Sequence, residues 1–218
     1  MEDQTTLPQL SAEELRILGC LLEKSRTTPE YYPMTLNGLQ TACNQKTSRK
    51  PVVNYSENTI VEALDLLKKR GLTSTVVGGG SRVTKYKHNL AIQFPLLPQE
   101  LAILCLLMLR GPLTAGEINS NAGRLYDFEN LDEVQELLNK LSEEKPPYIQ
   151  QLAKRPGQKE VRYVHLFADV NEEEFDFGAS NADTNPTATK QLEARVDLLE
   201  EQLVALRKEF DALMAQLN

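Results

Sequence analysis

Apolar positions recur along this chain with helical spacing in two matching sets, and the repeat organises the rest of the sequence. "SAEELRILGCLLEK" (11–24) opens with Ser11 and Glu14, the spacing at which a hydroxyl and a carboxylate cap a helix N-terminus reciprocally. Leu15, Leu18 and Leu22 follow, and Ile17 and Leu21 widen the stripe, which predicts a buried amphipathic helix. "PQELAILCLLMLRG" (98–111) repeats the pattern, with Glu100–Leu101 matching Glu14–Leu15, and it stops at Gly111–Pro112. Second helices are predicted over 35–44 and 114–123, with Thr35 and Thr114 as N-caps and Glu117 completing a capping box. Third helices follow over 56–71 and 130–145. Ile60, Leu64 and Leu67 in one match Val134, Leu138 and Leu141 in the other, and Ser56 and Asn130 cap them.

Each third helix leads into two segments with the alternation of strands: 72–77 and 83–90 around GGGS, then 148–154 and 161–167 around RPGQK. Tyr86–Lys87–His88 and Tyr163–Val164–His165 occupy corresponding places. Helix, helix, helix, hairpin, twice over, predicts a mainly α (α+β) chain of two tandem winged-helix domains, at 8–95 and 96–170. The first copy carries two insertions, "SRTTPEYYPM" (25–34) and "QKTSRKPVVNY" (45–55), where the second is shorter. Residues 171–190 are acidic, then small and polar, and read as a flexible linker. From 191 to 218 a heptad seam appears. Val196, Leu203, Phe210 and Leu217 take the a positions; Leu192, Leu199, Leu206 and Leu213 take the d positions. Nearly four heptads predict a coiled-coil helix and a homodimer, with a helix folded back on its own domains as the alternative.

Charge divides the chain further. The net charge is −7, yet residues 1–95 hold 12 Lys/Arg against 9 Asp/Glu, while residues 171–218 hold 4 against 11. The first segment suits an anionic partner and the last repels one. The N-terminus has acids and no apolar core, and no apolar run reaches the length of a membrane span, so a cytoplasmic chain without a membrane partner is expected. Cys20, Cys43 and Cys105 are an odd, scattered set without CxxC, and with only His88 and His165 they predict core filling rather than a metal site or disulfides.

The stretch from Leu18 to Leu72 resembles the YceH family of bacterial proteins. The resemblance rests on Glu23–Lys24, Thr28–Pro29, Tyr32–Pro33, Thr35–Leu36–Asn37, and Ala42–Cys43–Asn44–Gln45–Lys46 with Arg49 and Pro51 beyond. It extends to about residue 168, leaves the C-terminal heptads outside, and implies a tandem winged-helix fold without implying an activity. An acidic residue is expected where Lys50 stands, so this chain is more basic there.

No catalytic residues, metal site or cofactor is expected. Two histidines on hairpin strands form no triad, and GGG lacks both the Gly-Lys pair and the following helix that a phosphate loop requires. Duplex DNA is the candidate partner of the first copy. Asn58 and Thr59, at the start of the third helix, stand nearest the bases; Lys46, Arg49, Lys50, Arg82, Lys85 and Lys87 form a phosphate-contacting set. Glu62 and Asp65 on that helix oppose a phosphate backbone, and ordinary solvated cations are the alternative reading. The second copy exposes Asp132, Glu133, Gln135 and Glu136 on its third helix, which suits a protein partner; its hairpin carries Lys154, Arg155, Lys159 and Arg162. A non-enzymatic, DNA-associated or regulatory protein is therefore expected, with a protein–protein adaptor as the rival.

Overall fold

The computed structural model describes residues 6–77, 83–154 and 159–170. The GGGS tip with Arg82, and the heptad residues Leu192, Val196, Leu199, Leu203, Leu206, Phe210, Leu213 and Leu217, lie outside them. The described chain is mixed α and β, with seven helices and small antiparallel sheets.

Helix α1 runs Ala12–Thr27, and its start is the expected reciprocal cap. The Glu14 N–H donates to Ser11 Oγ (3.2 Å), and Ser11 N–H donates to the Glu14 carboxylate (2.8 Å). A 3₁₀ turn (Pro29–Tyr31) and a two-residue strand β1 (Met34–Thr35) precede α2 (Leu36–Cys43), capped by Thr35. Ser56 caps α3 (Glu57–Lys69). That helix ends on Gly71, at φ +73°, where Leu72 N–H reaches back to Leu67 O (2.9 Å) and Gly71 N–H to Lys68 O (3.0 Å). This paired closure requires a left-handed residue, which glycine adopts without a Cβ clash.

Strands β2 (Thr73–Val77) and β3 (Thr84–His88) then form a hairpin, and β3 also pairs with β1, giving the order β1-β3-β2. A one-turn helix α4 (Leu90–Gln93), without a counterpart in the expected elements, leads to α5 (Pro98–Arg110). The second half repeats the plan with α6 (Ala115–Ala122), α7 (Leu131–Glu143), β4 (Ile149–Gln151) and β5 (Tyr163–His165). Leu113 bridges Tyr163 where β1 stands in the first half. The second hairpin is shorter than expected, with three residues in each strand.

The first helix of each half is buried on every face rather than along one stripe. Positions 14–22 of α1 and 100–109 of α5 are all buried, because the two helices pack against each other while each also carries the helices of its own half. Gly19 allows the approach: a Cβ there would stand 2.8 Å from Leu109 Cδ2. The Cys105 thiol donates to Gly19 O at 3.4 Å, and Cys105 is the repeat counterpart of Gly19, as Glu100 is of Glu14. A residue meeting its own counterpart is the contact found on a two-fold axis. One hydrophobic core runs from Leu7 to Phe167 through both halves.

Carboxylates buried in this arrangement are paired. Glu14 meets Arg70, which caps the C-terminus of α3 (3.2 Å), and its counterpart Glu100 meets Lys140 of α7 (2.6 Å). The cysteines are buried and free. No helix among the described residues is long and apolar enough to cross a membrane.

Candidate nucleic-acid interface

The loop between α2 and α3, residues 44–56, carries the expected cations Lys46, Arg49 and Lys50 among other polar side chains. Several turn inward. Asn44 Oδ1 accepts from Tyr55 N–H (2.7 Å), its Nδ2 donates to Tyr55 O (3.0 Å), and Gln40 Nε2 donates to the same carbonyl (3.1 Å). These bonds hold the two ends of the loop together, so Asn44 is a brace and not a reading group.

Arg49 is the main correction. Its side chain is wholly buried, and all five guanidinium hydrogens are used: two on the Glu23 carboxylate (3.0 and 2.6 Å), the others on Gln45 Oε1, Ala42 O and Ser48 O. Burial alone would raise the Glu23 carboxyl, yet the Arg49 guanidinium holds it below its ordinary value. Likewise burial opposes the charge on Arg49, and Glu23 more than restores it. No donor is left for a phosphate, and exposing one would break a buried ion pair. Arg49 therefore shapes the loop and leaves the candidate contact set.

Lys46 and Lys50 remain exposed on that loop. Lys50 is placed from the other half of the molecule, by its N–H bonding Leu109 O at the end of α5 (2.8 Å). Asn58 is exposed on the first turn of α3. Thr59 is half-buried, its hydroxyl sharing a hydrogen bond with the Ser56 cap (2.8 Å). The exposed part of α3 also carries Glu57, Glu62 and Asp65, together with Val61 and Leu66.

On the hairpin, Lys85 and Lys87 are two apart on β3 and lie on one face, opposite Val76 and Ser74 of β2. The alternate residues Tyr86 and His88 turn the other way: Tyr86 packs on the core, and His88 Nε2 lies 3.3 Å from Ser25 Oγ. Among the described residues none of Lys46, Lys50, Lys85 and Lys87 forms an ion pair. Arg82 lies outside the described residues. The eight expected contact residues thus separate into four exposed or half-exposed cations, two polar groups at the start of α3, one buried scaffold arginine, and one position not described.

The second half differs in kind. Arg162 is drawn inward, donating to both carboxylate oxygens of Glu117 (2.7 and 2.8 Å) and to Pro112 O (2.9 Å). Gln135, expected on the open face of α7, donates to Tyr163 Oη (2.8 Å). Asp132 and Glu136 remain exposed, and Glu143 and Glu144 border a surface depression at the end of α7. Among the described residues no group of three His, Cys, Asp or Glu is placed to hold a metal ion.

Comparison with known proteins fixes the family. The model of the family described as "Protein of unknown function, DUF480" matches residues 10–158. The chain belongs to this family. Its members include relatives matched over nearly their full length. The UPF0502 protein YceH of Escherichia fergusonii is 45% identical over 215 residues, which is 96% of this chain and 98% of the relative. A UPF0502 protein of Shewanella sp. strain ANA-3 is 44% identical over 217 residues, 96% of this chain and 100% of its own. One from Citrobacter koseri is 44% identical over 215 residues, 96% and 98% of the two chains. The YceH likeness therefore continues past residue 168, where it was expected to end, into the acidic C-terminal segment.

Proposed function

We propose that this YceH-family chain is a non-enzymatic duplex-DNA-binding protein built on two winged-helix domains, 8–95 and 96–170, with the first making the contacts. The sheet order β1-β3-β2 after three helices supports the winged-helix reading, because it makes the β2–β3 hairpin a wing beside α3. One observation carries the DNA reading. Lys85 and Lys87 share the outer face of the wing strand without a carboxylate partner among the described residues, whereas Arg162, at the matching place in the second half, is ion-paired with Glu117. Unpaired cations on a projecting strand suit phosphate contacts, which position a protein without reading sequence. Asn58, at the start of α3, is the side chain placed for base edges, while Glu62 and Asp65 limit how closely that helix approaches a backbone.

Fluorescence titration of the full-length protein into labelled random duplex tests this. Replacing Lys85 and Lys87 together by Ala should weaken binding by roughly tenfold at about 100 mM salt. Unchanged affinity in that variant would remove the wing from the interface.

The rival adaptor reading rests on Val61 and Leu66, exposed among Glu57, Glu62 and Asp65 on α3; this apolar and acidic mixture suits a protein surface better than a phosphate backbone. Self-association through the heptads of 191–218 is part of the same proposal, since a second copy doubles the contacts. Truncation after Lys190 should halve the mass seen by light scattering. A full-length protein that is already monomeric would refute it.

A further inference from the structure

Arg110 was not among the residues expected to meet a partner, because it ends the buried helix α5 in the other half of the repeat. The structure places it against the α2–α3 loop of the first half. Its Nη2 donates to Ser48 Oγ (2.9 Å), and the preceding residue, Leu109, accepts from Lys50 N–H (2.8 Å). Ser48, Lys50 and Arg110 are thus fixed together at the junction of the two halves, with Lys46 two residues before Ser48. Arg49 lies beneath them, and Lys24 stands beside Glu23 at 3.2 Å.

The charge of this junction is one-sided. The Glu23 carboxylate is held by Arg49 at 2.6 Å and by Lys24 at 3.2 Å, while Arg110 ends α5 against the loop on which Lys46 and Lys50 stand exposed. Arg110 has no ion-pair partner among the described residues. Burial, and then repulsion from Arg49, push its charge toward loss rather than stabilise it. Like charges crowded at a half-buried site are unfavourable until an anion enters. Ser48 uses one guanidinium nitrogen of Arg110, and arginine's fork leaves further donors in the plane for an anion's oxygens.

We infer that Arg110, with Lys46 and Lys50, forms a second phosphate-contacting site at the junction of the two halves, so that a nucleic-acid backbone is gripped by both repeats and not by the first alone. This rests on the DNA reading above and extends it, because one of the two hands comes from the otherwise acidic half. It also gives the inserted loop 45–55 a purpose: held on one side by Tyr55 and on the other by Leu109, it sets the Lys50 backbone against the residue before Arg110 and carries Lys46 and Lys50 exposed.

The test is equilibrium binding of full-length protein to labelled random duplex DNA across a salt series, with Arg110→Gln, Arg110→Lys, and the double variant Lys85→Ala/Lys87→Ala. Thermal unfolding of each checks the fold. Arg110→Gln should weaken binding roughly three- to tenfold near 100 mM salt and lower the log–log salt slope by about 0.9 for each copy engaged, the value for one phosphate contact. Arg110→Lys keeps the charge and should keep the salt slope, while losing part of the affinity that the guanidinium fork supplies. If Arg110→Gln binds with the wild-type affinity and slope while the wing double variant is weakened, the junction site is wrong and the DNA reading stands. If Arg110→Lys lowers the salt slope as much as Arg110→Gln does, the residue acts through its bond to Ser48 and the inference also fails. If the wild-type protein binds no duplex at all, both readings fall together.

Discussion

Arg49 spends its five hydrogens inside the protein, while Lys46 and Lys50, three residues before it and one after, spend none on a carboxylate. In the sequence the three cations look alike. The difference is the position of Glu23, 26 residues away, which periodicity places on α1 without showing that it points at the loop. Arg49→Ala should therefore lower stability by about 1–3 kcal/mol in urea unfolding, since it leaves the partly buried Glu23 carboxylate to Lys24 alone and takes the guanidinium donor from the Ala42 carbonyl, and should leave the salt slope of DNA binding unchanged in the fraction that stays folded. A variant of normal stability with a reduced slope would return Arg49 to the contact set. Histidines teach the same lesson. His88 and His165 sit at equivalent places in the repeat, and burial pulls both down to about 4; for His88, Arg26 and Lys87 add to the effect. The folded state thus favours the neutral ring. Between the ordinary value of 6.5 and about 4 the unfolded chain binds more protons, so stability is full above pH 6.5 and falls as the pH drops through that window. For His165, 8% exposed, the loss is on the order of 3 kcal/mol. Denaturant midpoints measured from pH 7.5 to 4 check it, and His165→Gln should flatten the curve.

At the scale of elements, caps and periods were legible. Ser11 with Glu14, Thr114 with Glu117, Ser56, Asn130 and Gly71 stand where the sequence pattern puts them, because each closes its helix end through bonds to residues two to six positions away. What escaped was non-local. Strand β1 is two residues long and exists only through β3; a segment that short has no period to detect. The amphipathic reading of α1 also missed its second buried side, which appears only when α5 packs on it. Gly19 records that contact. Gly19→Val should destabilise by about 1–3 kcal/mol, because branched carbons would meet Leu109, itself buried at 2% exposure. A neutral result in thermal unfolding would mean that α1 and α5 separate more easily than their packing indicates.

Across the whole molecule, the repeat makes two similar halves and charge makes them unlike. The first 95 residues carry a net +3, from 12 Lys/Arg against 9 Asp/Glu, whereas the chain as a whole carries −7. Lys46 and Lys50 on the inserted loop and Lys68 and Lys69 at the end of α3 are exposed in the first half, and Lys85 and Lys87 are half-exposed on its wing; in the second, Arg162 is turned onto Glu117 and Lys140 onto Glu100. On the proposed reading, a chain of this charge meets DNA through its basic surface alone, and its affinity then depends on salt more steeply than its total charge would indicate. The most direct measurement is the slope of log affinity against log salt for the full-length protein on random duplex, from about 50 to 200 mM. Contacts by Lys46, Lys50, Lys85, Lys87 and Arg110 predict a linear fall with a slope of about −3.5 to −4.5 for each copy engaged, taking four or five phosphates at 0.9 each, and about twice that when both copies of a dimer grip one duplex. No binding at the lowest salt, or a slope near zero, would contradict the account.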